Sequence, residues 1–135
     1  MNKPFVWPVR VYYEDTDAGG VVFYANYLKY MERARTEYLR AMGFEQDALM
    51  TQEGIIFAVR SVKIDYLKPA RFNQLVHVDA KISHLKKASL EFSQQIRREH
   101  EILVTGDVRI ACLDVNTLKP KAIPEKLFEQ FNYEH

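Results

Sequence analysis

Hydrophobic side chains along this chain follow two regimes. Tyr27, Met31, Ala34, Tyr38 and Met42 step by four, three, four and four, which places them on one helix face. Lys29, Glu32, Arg33, Thr36 and Arg40 lie off that face. The spacing predicts a helix from about Tyr24 to Met42, with Gly43 as its stop and Arg33 and Glu37, four apart, as a weak supporting pair. A short second helix is expected from Gln46 to Glu53. Beyond Gly54 the period becomes two. Val62, Ile64 and Tyr66 alternate with Lys63 and Asp65, and Val76, Val78, Ala80 and Ile82 alternate with His77, Asp79 and Lys81. Leu90, Phe92 and Ile96 share one parity, and Val104, Gly106, Val108, Ile110 and Cys112 share another.

These four segments predict half-buried strands in succession, an antiparallel meander turning at Lys68-Pro69-Ala70, Lys86-Lys87 and Arg98-Glu99-His100. A first strand is expected over Phe5 to Tyr13, with Pro8 confining it to an edge or delaying it to Val9. Asp15 to Gly20 reads as a turn, and Pro124 opens a short helix holding Leu127, Phe128 and Phe131. One helix against a five-stranded antiparallel sheet is an α+β layer. With 135 residues and no linker or repeat, residues 1–135 are expected to form one domain.

Composition narrows the function. A net charge of +1 lacks the electrostatic footprint of a nucleic-acid binder. Cys112 is the sole cysteine, which excludes an intrachain disulfide and a thiolate-rich zinc site and suits a reducing compartment. The start from Met1 to Pro8 has no apolar core of a signal peptide, and no apolar run approaches the roughly 20 residues that span a bilayer. A cytoplasmic protein without stable membrane insertion is expected.

Chemistry-bearing motifs are few. Nucleophile-elbow, Walker A and dinucleotide-binding motifs are missing from the sequence. His77 and His84, seven apart, would point to opposite faces of one regular strand, so neither a metal nor another cofactor is implied. What remains is Tyr13-Glu14-Asp15-Thr16-Asp17-Ala18-Gly19-Gly20-Val21-Val22-Phe23-Tyr24-Ala25-Asn26-Tyr27, in which a strand runs into an acidic turn, two glycines and a helix start. Unpaired amides at a helix start can hold a carbonyl oxygen as it becomes an oxyanion, and glycines let the backbone approach a ligand. A carboxylate there stays ionised and can act as base or nucleophile. The same residues also suit an ordinary N-cap and turn.

This segment resembles the signature of the 4-hydroxybenzoyl-CoA thioesterase-like branch of the hotdog fold, whose sheet wraps around one long central helix. Met31 to Glu37, Val59-Arg60, Lys68-Pro69-Ala70-Arg71 and Lys119 to Pro124 resemble its acyl-CoA thioesterase subgroup associated with the Tol-Pal envelope system. The resemblance implies that Asp17 is the catalytic carboxylate and that the backbone amide near Tyr24 polarises the thioester carbonyl. Many subgroup members carry His where this chain has Tyr24, so an imidazole role is lost here while an amide role survives. It further implies coenzyme A contacts at the hairpin of Lys86, Lys87 and Ser89, with Gly20, Arg60 and Arg71 as additional candidates.

Asp15 is expected to serve as a turn or cap, Tyr13 to pack or reach the site, and Asn26 to cap the helix or touch ligand. Glu32 and Glu37 are expected in surface or interface pairs. The expected reaction is hydrolysis of an aliphatic acyl-CoA, with Asp17 as nucleophile or general base. The expected assembly is a homodimer or a tetramer of dimers with a shared site, and an acyl carrier protein is a further candidate partner. The alternative is a partner in envelope or phospholipid metabolism that binds acyl-CoA or acyl carrier protein without hydrolysis.

Overall fold

In the computed structural model, which describes residues 4–135, the period-two segments become β2 (Ile55–Tyr66), β3 (Leu75–Lys86), β4 (Ser89–Arg98) and β5 (Glu101–Asp114). With β1 (Phe5–Arg10) they form one antiparallel sheet in the order β1-β3-β4-β5-β2. The four-strand meander holds only for β3, β4 and β5. The second strand does not neighbour the third; it pairs with β5 at the far edge. The residues after Tyr66 cannot double back, because other segments hold them. Leu67 and Lys68 donate to the Leu103 carbonyl, the Ala70 amide donates to the Tyr27 hydroxyl, and Val21 bridges Arg71.

Pro8 sits in an edge strand, as its missing N–H requires. That strand ends at Arg10, short of Tyr13, and Tyr13–Asp15 is a single tight helical turn. Tyr13, Asp15 and Asp17 therefore do not share one face of a continuing strand.

The long helix α1 (Asn26–Ala41) starts two residues later than its pattern suggests and ends before Gly43, whose φ of +93° suits glycine. Tyr27, Tyr30, Met31, Ala34, Tyr38 and Leu39 bury against β1 and β3. Glu37 pairs with Arg40 at 2.6 Å instead of Arg33, whose guanidinium lies 5.8 Å over the Tyr30 ring. A short helical segment, α2 (Gln46–Ala48) continued by a wider turn over Leu49–Glu53, and a terminal helix, α3 (Glu125–Glu134), close one end of the core.

Two apolar clusters fill the space between helix and sheet, one around Tyr30, Met31 and Val78 and one around Tyr38, Phe92 and Leu127. Gln94 lies between them on the inward parity of β4, opposite Gly106 of β5. It is almost fully buried and receives the Arg35 guanidinium at 2.9 Å on its carbonyl oxygen. Its amide donates to the Met31 and Asp79 carbonyls at 3.1 and 2.9 Å. Burial lowers the Arg35 pKa. Met31 fills the space above Gly106: a Cβ there would come within 2.9 Å of the Met31 Cε.

Ile55 is buried and Phe57 and Ile64 pack against the core, but three other inward side chains of β2 lie beyond its cover. Val59, Val62 and Tyr66 remain 51%, 38% and 44% exposed, although their register places them level with the buried Ile110, Val108 and Val104.

Candidate active site

The acidic turn folds against the segment that leads into α1. Asp17 donates its amide to the Val21 carbonyl at 2.9 Å, and Phe23 donates to the Asp15 carbonyl at 2.9 Å. A bridge between Thr16 and Val22 completes this short antiparallel ladder. Gly20 turns the chain with φ of +78°, a conformation that L side chains adopt only with strain. Its amide donates to the Asp17 carbonyl at 3.0 Å, so its place in the site is to shape the turn.

Asp17 is solvent-exposed in the single chain. One carboxylate oxygen, Oδ1, accepts the Gly19 amide at 2.9 Å. Oδ2 has no hydrogen-bond donor among the described residues. The Asp17 charge also reaches the Tyr27 hydroxyl. Burial raises the Tyr27 pKa most, its bond to the Ala70 amide opposes this, and the neighbouring Tyr66 and Asp17 add to the rise. Tyr27 helps line an aromatic cleft of about 240 Å³ with Val22, Tyr24, Tyr66, Leu67, Lys68 and Pro69, and Val22 of that lining bridges Thr16, the neighbour of Asp17.

Amides at the helix start divide into two groups. Asn26, Tyr27 and Leu28 donate to the carbonyls three residues back, Phe23, Tyr24 and Ala25. The amides of Tyr24 and Ala25 meet no acceptor among the described residues. An unpaired amide at the positive end of a helix is suited to a developing oxyanion. The Tyr24 ring, 62% exposed, stands 6.0 Å edge-on to Tyr66 and forms a wall of the cleft.

The remaining sequence candidates spread over other surfaces. Lys86 and Ser89 do meet, at the β3–β4 hairpin, in a cleft of about 230 Å³ that also holds His84, Leu90, Glu91 and Arg109. Lys87 is exposed in the turn itself. Arg60 occupies the bulge of β2 between Val59 and Ser61, and Arg71 lies exposed after the crossover. Asn26 neither caps the helix nor faces a cleft; its side-chain amide donates to the Asp15 carbonyl at 2.8 Å. Tyr13 is 79% exposed and packs edge-on against Phe72. Glu32 accepts the Thr36 hydroxyl, a contact within α1.

Sequence reasoning did not place Arg109 or His84 in the hairpin cleft. Arg109 falls between the inward residues Val108 and Ile110, so its parity already pointed outward, opposite Glu91. A bulge at Ser83 moves His84 onto the same outer face as His77, which corrects the expectation of opposite faces. Cys112 is no alternative nucleophile: it is buried, and burial pushes its thiol up to about 11.

Comparison with known proteins gives the lineage. The description "Thioesterase superfamily" matches residues 19–105. "Acyl-CoA thioesterase YbgC" of Haemophilus influenzae is 41% identical over 133 residues, covering 98% of each chain. "Acyl-CoA thioester hydrolase YbgC" of Escherichia coli O6:H1 is 44% identical over 94% of this chain and 95% of its own. Among solved structures, the "Probable Thioesterase from Bartonella henselae" superposes with a TM-score of 0.87 at 36% identity, covering 90% of this chain and all of its own.

Proposed function

This chain belongs to the thioesterase superfamily and has its hotdog fold, and from that premise we propose that it hydrolyses acyl-CoA to a free acid and coenzyme A. The observation that carries the reading is the Tyr24 amide, left without an acceptor one residue beyond the ladder that holds Asp17. The thioester carbonyl oxygen sits on that amide and the carbonyl carbon faces Asp17. As the tetrahedral species forms, the amide takes up the developing charge; losing one such donor elsewhere costs about 10²–10³ in turnover. The carbon–sulfur bond then breaks, and coenzyme A leaves as a thiolate that is protonated from solvent.

Asp17 supplies the attack by one of two routes. Its free oxygen adds to the carbonyl and makes a mixed anhydride that water cleaves, or it takes a proton from the water that adds. A single turnover in ¹⁸O-water identifies the anhydride route by label found in the Asp17 carboxylate.

The acyl group enters the tyrosine cleft, and the favoured substrates are aliphatic. Lys86, Ser89 and Arg109 face the coenzyme A phosphates, with Lys87 and Arg60 alongside. The uncovered part of the inward face and the free edge of β2 join a second copy, giving a dimer or a tetramer of dimers with the site shared between chains. Residues 1–135 act as one catalytic domain in the cytoplasm, in the setting of the Tol-Pal system. An acyl carrier protein is the candidate protein partner. Among the described residues no helix is long and apolar enough to cross a membrane.

A thiol-trapping assay over short, long and aromatic acyl-CoAs, run beside calorimetric binding, tests the proposal. Stoichiometric binding followed by repeated release of coenzyme A is expected. Binding without release would instead establish a carrier that holds acyl-CoA intact.

A further inference from the structure

The first Asp of the acidic turn has no part in the chemistry above, yet more bonds meet there than at Asp17. Tyr12 and Asp15 are tied in both directions: the Asp15 amide donates to the Tyr12 carbonyl at 3.0 Å, and the Tyr12 amide donates to Asp15 Oδ2 at 2.8 Å. The Asp15 carbonyl then accepts two donors from the other side of the site, the Phe23 amide at 2.9 Å and the Asn26 side chain at 2.8 Å. Phe23 immediately precedes the free amide of Tyr24, and Asn26 is the first residue of α1. Asp17 is two residues further along the same turn.

We propose that Asp15 is the positioning residue of this site: its carboxylate fixes the tight turn, and its carbonyl ties Phe23 and Asn26 to that turn, so that Asp17 and the Tyr24 amide face one substrate. The inference rests on the thioesterase reading above. The side chain closes the Tyr12–Asp15 loop and so aims the carbonyl. The carbonyl sets the register between residues 15–17 and 21–23, and that register sets where Tyr24 stands relative to Asp17. Asn26 is a strut on the same carbonyl and does not touch substrate. Beneath the turn lies the fully buried Tyr30 hydroxyl, whose pKa is raised first by burial and then by the neighbouring Asp15 carboxylate, so the Asp15 side chain is seated between Tyr12 and α1.

The test uses the full chain with Asp15→Ala, Asp15→Asn, Asn26→Ala and the Asp15→Ala/Asn26→Ala pair, and Asp17→Asn as reference. Each is assayed for kcat, KM, pH profile and thermal midpoint. A misplacement of about 1 Å costs up to ~10²-fold in turnover, so Asp15→Ala and Asn26→Ala are expected to lower kcat by roughly 10- to 100-fold with KM within about threefold. Because both act through one carbonyl, the double variant is expected within about threefold of the worse single one, far from multiplicative. Asp15→Asn keeps an oxygen for the Tyr12 amide and is expected to restore kcat and leave the pH profile unchanged.

Asp15→Ala or Asn26→Ala with full kcat well below its thermal midpoint would overturn the inference and leave Asp15 a purely structural turn residue. Asp15→Asn as inactive as Asp17→Asn would overturn it differently, by making Asp15 a reacting group. If Asp15→Ala fails to fold, Asn26→Ala, which removes only the strut, decides the question alone. Full activity in Asp17→Asn would sink the thioesterase reading itself; loss there with normal kcat in the Asp15 and Asn26 variants sinks only the positioning role.

Discussion

At the scale of single residues, the proposed chemistry divides between a main-chain group at Tyr24 and a side chain at Asp17, and the two are expected to respond to different substitutions. Tyr24→Ala keeps the amide and removes an exposed ring, so turnover is expected within about tenfold of the parent, with KM altered by loss of the cleft wall. Tyr24→Pro removes the N–H and is expected to lower kcat by about 10²–10³. Steady-state kinetics with circular dichroism to verify folding reads the difference; equal kcat in the two variants would remove the amide from the mechanism. The acidic turn was legible in the sequence because two Asp, two Gly and a helix pattern fell in order. The bonding around Asp15 was not, because a carbonyl that gathers donors from residues 8 and 11 positions away leaves no mark on residue type. The exposure of Asp17 was equally hidden, since it depends on how the turn folds back.

Among the elements, parity located β3, β4, β5 and the second half of β2, whose first half is set out of phase by the bulge between Val59 and Ser61, and its one gap was informative. Leu90, Phe92 and Ile96 point inward, and so does Gln94 between them, with Arg35 as its partner from α1. Replacing Gln94 by Leu takes the acceptor at 2.9 Å from the buried Arg35 guanidinium and one donor each from the Met31 and Asp79 carbonyls, at a cost of about 2–3 kcal/mol. Gly106→Ala pushes a methyl group into Met31, a crowding that costs about 1–3 kcal/mol. Urea midpoints of the two variants check both losses, and an unchanged midpoint for either removes that contact from the stability of the core. Strand order was the part that parity did not carry. Periodicity says which face of a strand is inward but not which strand lies beside it, and the second strand's neighbour was set by bonds that hold residues 67–70 to Leu103 and Tyr27.

For the molecule as a whole, the exposed part of the inward face of β2 is where the proposed second copy would pack. Val59, Val62 and Tyr66 continue an apolar layer that is buried on β5 and open on β2, at a free sheet edge. Val62→Lys places a charge on that layer without touching the clusters under α1. A monomer of native secondary structure with sharply reduced turnover is expected by analytical ultracentrifugation and thiol release; an active Val62→Lys monomer would mean the site is complete within one chain. The same scale holds the central claim, that a hotdog thioesterase cleaves acyl-CoA through the carboxylate beside its helix start. Its most direct test is kcat for coenzyme A release by Asp17→Asn, with folding checked by thermal melting. Asn retains the oxygen that accepts the Gly19 amide and removes the charge, so the melting midpoint is expected to hold while kcat falls by about 10²–10⁴. A folded Asp17→Asn protein that releases coenzyme A at the parent's rate would contradict the account.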